Sequence, residues 1–210
     1  MVGAVTVVDF LVAGRCPGCG RTSSVLCMGC RQRFAPPPAV SPGEGLVDVV
    51  AAFAHDGAAR DAVAAIKYQG DRRWIELLGR DVATAICARS WERHIDVVCG
   101  VPASRSRRQR NGFDHGELLA SIVATHLDLP MRRVLVRRAG PAQTGRTARD
   151  RRSSPPAIVP RAGAGRSITD RRVLVVDDVV TTGATLRRAA QSCLAAGARS
   201  VYAATITARA

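Results

Sequence analysis

Two adjacent carboxylates, Asp177 and Asp178, follow an apolar run in VLVVDDVVTTGATL (residues 173–186), and a loop of threonine and glycine follows them. The start of a helix offers free backbone N–H groups and a partial positive charge, which suit a phosphate. Here Gly183 permits close backbone approach, Thr181, Thr182 and Thr185 add hydroxyl donors, and Ala184 opens the expected helix. Two acids beside a phosphate would repel it unless they face something else. A ribose offers two vicinal hydroxyls, good donors for carboxylate acceptors. A sugar phosphate therefore satisfies both halves, with its diol on Asp177 and Asp178 and its 5′-phosphate on residues 181–185. The same acids can help hold a divalent metal that bridges the ligand. Lys67 is the chain's only lysine, so none follows Gly183 and a Walker A loop is excluded.

A second group of reactive side chains lies near the start. CPGC (Cys16, Cys19) and CMGC (Cys27, Cys30) form two CxxC knuckles seven residues apart. Each knuckle presents two thiolates, and two knuckles close a tetrahedral four-cysteine site for structural Zn²⁺. A segment this short cannot build a sufficient core, so bound metal would supply its stability. A redox CxxC or a disulfide pair is the competing reading. Cys87, Cys99 and Cys193 sit in apolar stretches and are expected to pack as core residues. His55, His94, His115 and His126 show no metal spacing.

Alternating strands and helices must position the acids. Residues 58–70, 74–89, 116–127 and 184–198 have helical apolar spacing, while 96–104, 132–138, 171–178 and 200–207 have strand character. Strands alternating with helices of about a dozen residues imply βαβ units in an open parallel sheet flanked by helices, an α/β fold. Ligands of such sheets bind at the carboxyl ends of strands, where the acid pair falls. Three parts are expected: a cysteine segment (1–34), a Pro/Gly-rich linker (35–45) and the α/β domain (46–210). Residues 138–171 form a long polar stretch that suits either a lid or disorder.

The chain of 210 residues carries a formal charge of +14, with thirty arginines and one lysine. Base composition alone can produce such a bias, yet the excess favours polyanionic partners. It is concentrated in residues 105–152, where twelve arginines face four acids. No apolar run is long enough to span a membrane, and residues 1–14 lack the basic start of a signal peptide. The cytoplasm is the expected compartment.

The acid-pair stretch resembles the phosphoribosyl-pyrophosphate motif of type I phosphoribosyltransferases. Over nearly its full length the chain resembles the ComF family of competence-associated proteins. The parts carrying that likeness are the four-cysteine ribbon, KYQGD (67–71), VPASRSRRQRNGFDHGELLA (101–120), a basic stretch around Gln143, and the phosphoribosyl motif. The resemblance implies a pyrophosphate loop after the strand at Val101, with Lys67, Arg105 and Arg110 as pyrophosphate contacts. It also implies Mg²⁺ accompanying phosphoribosyl pyrophosphate, and a closing loop within 138–171. Arg107 and Arg108 add charge beside that pyrophosphate loop.

This chain departs from the family pattern. It has Asn111-Gly112-Phe113-Asp114-His115 where the family reads RGFNQ, and Gly140, Arg146 and Ser154 stand where the family usually has Thr, Leu and Asn. The resemblance implies binding of phosphoribosyl pyrophosphate or a nucleotide, in a protein of DNA uptake and natural transformation with single-stranded DNA and DNA-uptake proteins as partners. Two alternatives stand beside it: an active phosphoribosyltransferase of nucleotide metabolism, and a non-catalytic zinc-dependent interaction adaptor.

Overall fold

The computed structural model describes residues 15–16, 18–23, 26–69, 72–138 and 157–209. Its centre is a four-stranded parallel sheet made of β1 (Val49–Ala54), β2 (Val97–Gly100), β5 (Arg172–Val180) and β6 (Ser200–Ala208), in the order β1-β6-β5-β2. Val173, Leu174, Val175 and Val176 of β5 are all fully buried. Such a continuous apolar run fits a strand covered on both faces. Alternation along the strand divides the core in two. Leu174 and Val176 face α2 (Gly57–Gln69), α3 (Arg72–Cys87) and α5 (His115–His126), while Val173 and Val175 face α7 (Ala184–Ala195).

The expected parallel α/β sheet is therefore present, with three corrections. The alanine-rich β1 was not foreseen, because VVAAFA has too little branched apolar character to stand out. Strand β3 (Leu135–Arg138) does not join the main sheet but pairs antiparallel with β4 (Ala157–Pro160). Within 138–171, expected to be one polar stretch, β4 is followed by a helical turn, α6 (Gly165–Ile168). Apolar anchors explain the ordering: Leu135, Ile158 and Ile168 are buried, and Ser192 of α7 donates to the Ile158 carbonyl at 2.8 Å. Gln143, Gly140, Arg146 and Ser154 lie outside the described residues, as do Gly70 and Asp71 of KYQGD.

The cysteine segment packs into the first core. Cys16, Leu26 and Cys30 are buried with Ala58 and Ala62 of α2. Arg31, on the short helix α1 (Met28–Arg31), pairs with Asp81 of α3 and lies over the Phe34 and Phe53 rings at 5.5 and 5.1 Å. In the Pro/Gly stretch, the Ala35 carbonyl accepts from Ala54 N–H at 3.0 Å, and Val40 packs on the second core. No helix among the described residues is long and apolar enough to cross a membrane.

Two close approaches set the position of α5. A Cβ added at Gly116 would lie 2.0 Å from the Val101 carbonyl oxygen, and one at Gly100 would lie 2.4 Å from the Gly116 oxygen. Strand and helix thus meet backbone to backbone. Gly116→Ala is expected to cost at least about 2 kcal/mol in urea unfolding. Gly29→Ala, where an added Cβ meets nothing within 4 Å, should change stability by less than about 0.5 kcal/mol.

Candidate functional site

The C-terminal ends of β1, β2 and β5 open onto a cleft of about 360 Å³. β5 runs on through Val180, two residues beyond the expected boundary, so the acids lie within the strand rather than at its last residues. Asp177 is half-buried and Asp178 is only 6% exposed, yet both line the cleft. Neither is turned away into the interior. The strand ends in the turn 181–183, where Gly183 takes a left-handed φ of +71° and α7 begins. Thr181 and Thr185 face the cleft. Thr182, Gly183 and Ala184 build the turn itself: Ala184 N–H donates to Thr182 Oγ1 at 3.4 Å, and Arg187 Nη1 donates to the Thr182 carbonyl at 2.8 Å.

Lys67 comes from the last turn of α2, and its Nζ lies 3.0 Å from Asp178 Oδ1. The side chain is 17% exposed, so the ordinary reading of a solvated surface lysine does not apply. On the other oxygen, His115 Nε2 lies 3.3 Å from Asp178 Oδ2. Neither that oxygen nor His115 Nδ1 makes a hydrogen bond, though both are buried. Asp177 Oδ1 accepts from the Asp178 N–H at 2.9 Å.

The two carboxyls are driven apart electrostatically. Burial, reinforced by the adjacent Asp178 charge, pushes the Asp177 carboxyl up to about 7. Burial acts on Asp178 in the same direction, but the neighbouring His115 and Lys67 outweigh it and hold that carboxyl at about 2. The surroundings thus favour the charged form of Asp178 and disfavour that of Asp177.

The cations around the cleft differ in part from those expected. Arg105 and Arg110 are exposed on α4 (Arg105–Asn111) and do not line it. At 3.6 residues per turn, a helix lying along the rim can turn only one stripe inward. That inward residue is Arg107. The other cation is Arg137 of β3, whose Nε donates to the Pro102 carbonyl at 2.8 Å. Burial lowers the Arg137 pKa. Nothing in the local sequence marks this residue, because it reaches the cleft only through the β3–β4 hairpin. His55 also lines the cleft, with Nδ1 2.8 Å from Thr207 Oγ1.

The departures at 111–115 acquire local causes. Asn111 Nδ2 donates to the Lys67 and Ile66 carbonyls at 3.2 and 3.4 Å, closing the end of α2. Asp114 caps α5, accepting from Gly116 N–H and Glu117 N–H at 3.1 and 3.2 Å. Its carboxylate also accepts from Ala103 N–H at 3.0 Å, which ties the loop after β2 to α5. His115 faces Asp178, as described. The added acid is structural rather than a charge facing the ligand.

The four cysteine sulfurs Cys16, Cys19, Cys27 and Cys30 lie within 4.8 Å of one another. The Cys27 Sγ is 3.7 Å from both Cys16 Sγ and Cys19 Sγ. A tetrahedron of sulfurs about 2.3 Å from zinc has edges of about 3.8 Å, so the donor set fits that ion. An added Cβ on Gly18 would stand 2.9 Å from both Cys30 Sγ and Ala58 Cβ, so the knuckle requires glycine there. Burial, partly offset by Arg33, pushes the Cys30 thiol up to about 12. A divalent ion would reverse that penalty.

A model of the family described as "Phosphoribosyl transferase domain" matches residues 114–210. Competence protein F of Haemophilus influenzae is 33% identical over 93 residues, which are 43% of this chain and 41% of that protein. Competence protein ComFC of Bacillus subtilis is 26% identical over 187 residues, 87% of this chain and 72% of that protein. The chain thus spans less than half of the first relative's length. Among solved structures, the glutamine phosphoribosylpyrophosphate amidotransferase from B. subtilis is 22% identical at a TM-score of 0.42, covering 61% of this chain and 25% of that one. Purine phosphoribosyltransferase from Pyrococcus horikoshii is 21% identical at a TM-score of 0.37, covering 60% and 70%. The chain is thus similar to two competence proteins, matches a phosphoribosyl transferase domain over residues 114–210, and carries a four-cysteine cluster beside a helix-flanked parallel sheet.

Proposed function

We propose that the cleft binds the ribose 5-phosphate portion of phosphoribosyl pyrophosphate or a nucleotide, and that the protein acts in DNA uptake during natural transformation. One observation carries the first part. The Asp177–Asp178 pair, the hydroxyls of Thr181 and Thr185, and the cations Lys67, Arg107 and Arg137 all converge on one opening. The geometry refines the expected roles. Asp178 is engaged by Lys67 and His115, so Asp177 is the carboxylate free to accept ribose hydroxyls. The phosphate meets the helix start of α7, and a diphosphate on the sugar meets Arg107 and Arg137.

The transformation role rests on the competence relatives. The exposed Arg105 and Arg110 of α4 offer phosphate contacts for single-stranded DNA. Catalysis would require a nucleophile to displace pyrophosphate at the anomeric carbon. Among the described cleft-lining residues the only aromatic rings are the imidazoles of His55 and His115. Pyrophosphate release across a panel of bases would identify an enzyme. Cytoplasmic residence fits such a role and a reduced, zinc-loaded cysteine cluster.

Mg²⁺ was expected to accompany the ligand. The cleft offers the carboxylates of Asp177 and Asp178, the latter beside Lys67 and His115, and among the described residues the four cysteines form the only cluster of three or more metal-ligating side chains.

Phosphoribosyl pyrophosphate is expected to raise the melting temperature of the chain, and Asp177→Ala to abolish that rise. An unchanged rise in the variant would refute the assignment. The raised Asp177 carboxyl also fixes a pH signature of the unliganded protein. Folding then binds an extra proton, so stability falls as pH climbs from the ordinary carboxylate range, about 4, towards about 7. Asp177→Asn should flatten that decline and stabilise the protein at pH above 7 by about 1–3 kcal/mol, read from urea unfolding at several pH values. Zinc quantification should find metal bound at the cysteines, and Cys19→Ser should release it and lower the melting temperature.

A further inference from the structure

The cation already seated on Asp178 has a consequence for how the cleft takes its ligand. Lys67 stands among thirty arginines as the chain's single lysine. It is 3.0 Å from a carboxylate that is itself 8% exposed. Its backbone is fixed by Asn111, whose amide occupies carbonyls left free at the end of α2. An ammonium is a compact point charge with three donors that rotate, whereas a guanidinium imposes a planar fork. One Lys67 donor on Asp178 leaves two others for a ligand oxygen.

A divalent ion that bridges an acid and a diphosphate needs the same place. Mg²⁺ demands near-octahedral oxygen ligands, with one or two carboxylates besides phosphate and water. Here Asp178 meets Lys67 on one oxygen and His115 on the other. Arg107 and Arg137 bring two further fixed positive charges to the same cleft. An added divalent cation would face all of these across a partly buried space, where like charges are weakly screened.

We propose that Lys67 is a built-in replacement for the divalent metal, so that the cleft binds a diphosphorylated ribose without Mg²⁺. This rests on the ribose-phosphate reading of the cleft. The ammonium bridges Asp178 and a diphosphate oxygen, Arg107 and Arg137 take the remaining charge, and the diol sits on Asp177.

The test is calorimetric titration of phosphoribosyl pyrophosphate into the full chain, with and without MgCl₂. Buffers are freed of divalent ions over a chelating resin, because a soluble chelator would also attack the cysteine cluster. The dissociation constants with and without Mg²⁺ should agree within about threefold. Lys67→Met should weaken metal-free binding by at least about tenfold, with Mg²⁺ restoring part of the loss. Lys67→Arg keeps the charge and stem, and serves should the methionine variant not fold. It should bind more weakly than wild type without metal, because the fork cannot occupy a point-charge position. Wild-type binding that is more than about thirtyfold weaker without Mg²⁺ overturns the proposal but leaves the ribose-phosphate site standing. So does a Lys67→Met protein that binds as wild type does in metal-free buffer. Absence of binding under both conditions overturns the site and the proposal together.

Discussion

A carboxylate that is only 6% exposed has to be paired, and the pairing of Asp178 organises this molecule. Taking an isolated charge out of water costs several kcal/mol, and stripping one partner from a buried pair typically costs about 3–5 kcal/mol. The fold answers with two groups from different elements: Lys67 at the end of α2 and His115 at the start of α5. Each needs its own support. Asn111 closes the end of α2, and Asp114 caps α5 while holding the loop after β2. The glycine contact at Gly116 lets α5 approach closely enough for His115 to reach the strand end. The cleft is thus a consequence of satisfying one buried charge as well as a place for a ligand.

The neighbouring acid is left in the opposite condition. Among the described residues Asp177 has no ion-pair partner, its carboxylate accepts from the adjacent backbone N–H, and burial raises its carboxyl pKa. The two acids therefore differ in their neighbours: Asp178 is flanked by Lys67 and His115, with Oδ2 left without a hydrogen bond, and Asp177 accepts from a backbone N–H. The turn at residues 181–183 adds backbone and hydroxyl groups without charge. Among the described residues, the lysine and arginine side chains lining the cleft are Lys67, Arg107 and Arg137.

Much of this was legible in the residues alone. VLVVDDVVTTGATL declares a buried strand, a polar strand end and a helix start through composition and order, and all three form at residues 172–195. The cysteine spacing likewise gathers four sulfurs in one place. Other parts gave weaker signals. β1 is mostly alanine and valine, and its strand state comes from its parallel pairing with β6. The β3–β4 hairpin depends on a few apolar anchors spread through a polar stretch, and no local pattern states which strand each will pair with. Arg105 and Arg110 looked equal to Arg107 in a run of arginines, since a helix's facing stripe is set by what it packs against.

By itself the sequence determined the things that depend on neighbours in the chain. These are the parallel α/β class, the strand-to-helix turn with its acids and hydroxyls, and the cysteine knuckles. Their physical basis is local: side-chain periodicity, glycine's access to positive φ, and the few residues spanned by a turn. Only the tertiary structure decided that Lys67 and His115 each approach a different oxygen of Asp178, and that Arg137 enters from a separate hairpin. Those groups lie far apart along the chain. Their meeting depends on packing and on the low polarity of the place where they meet, neither of which a sequence pattern contains.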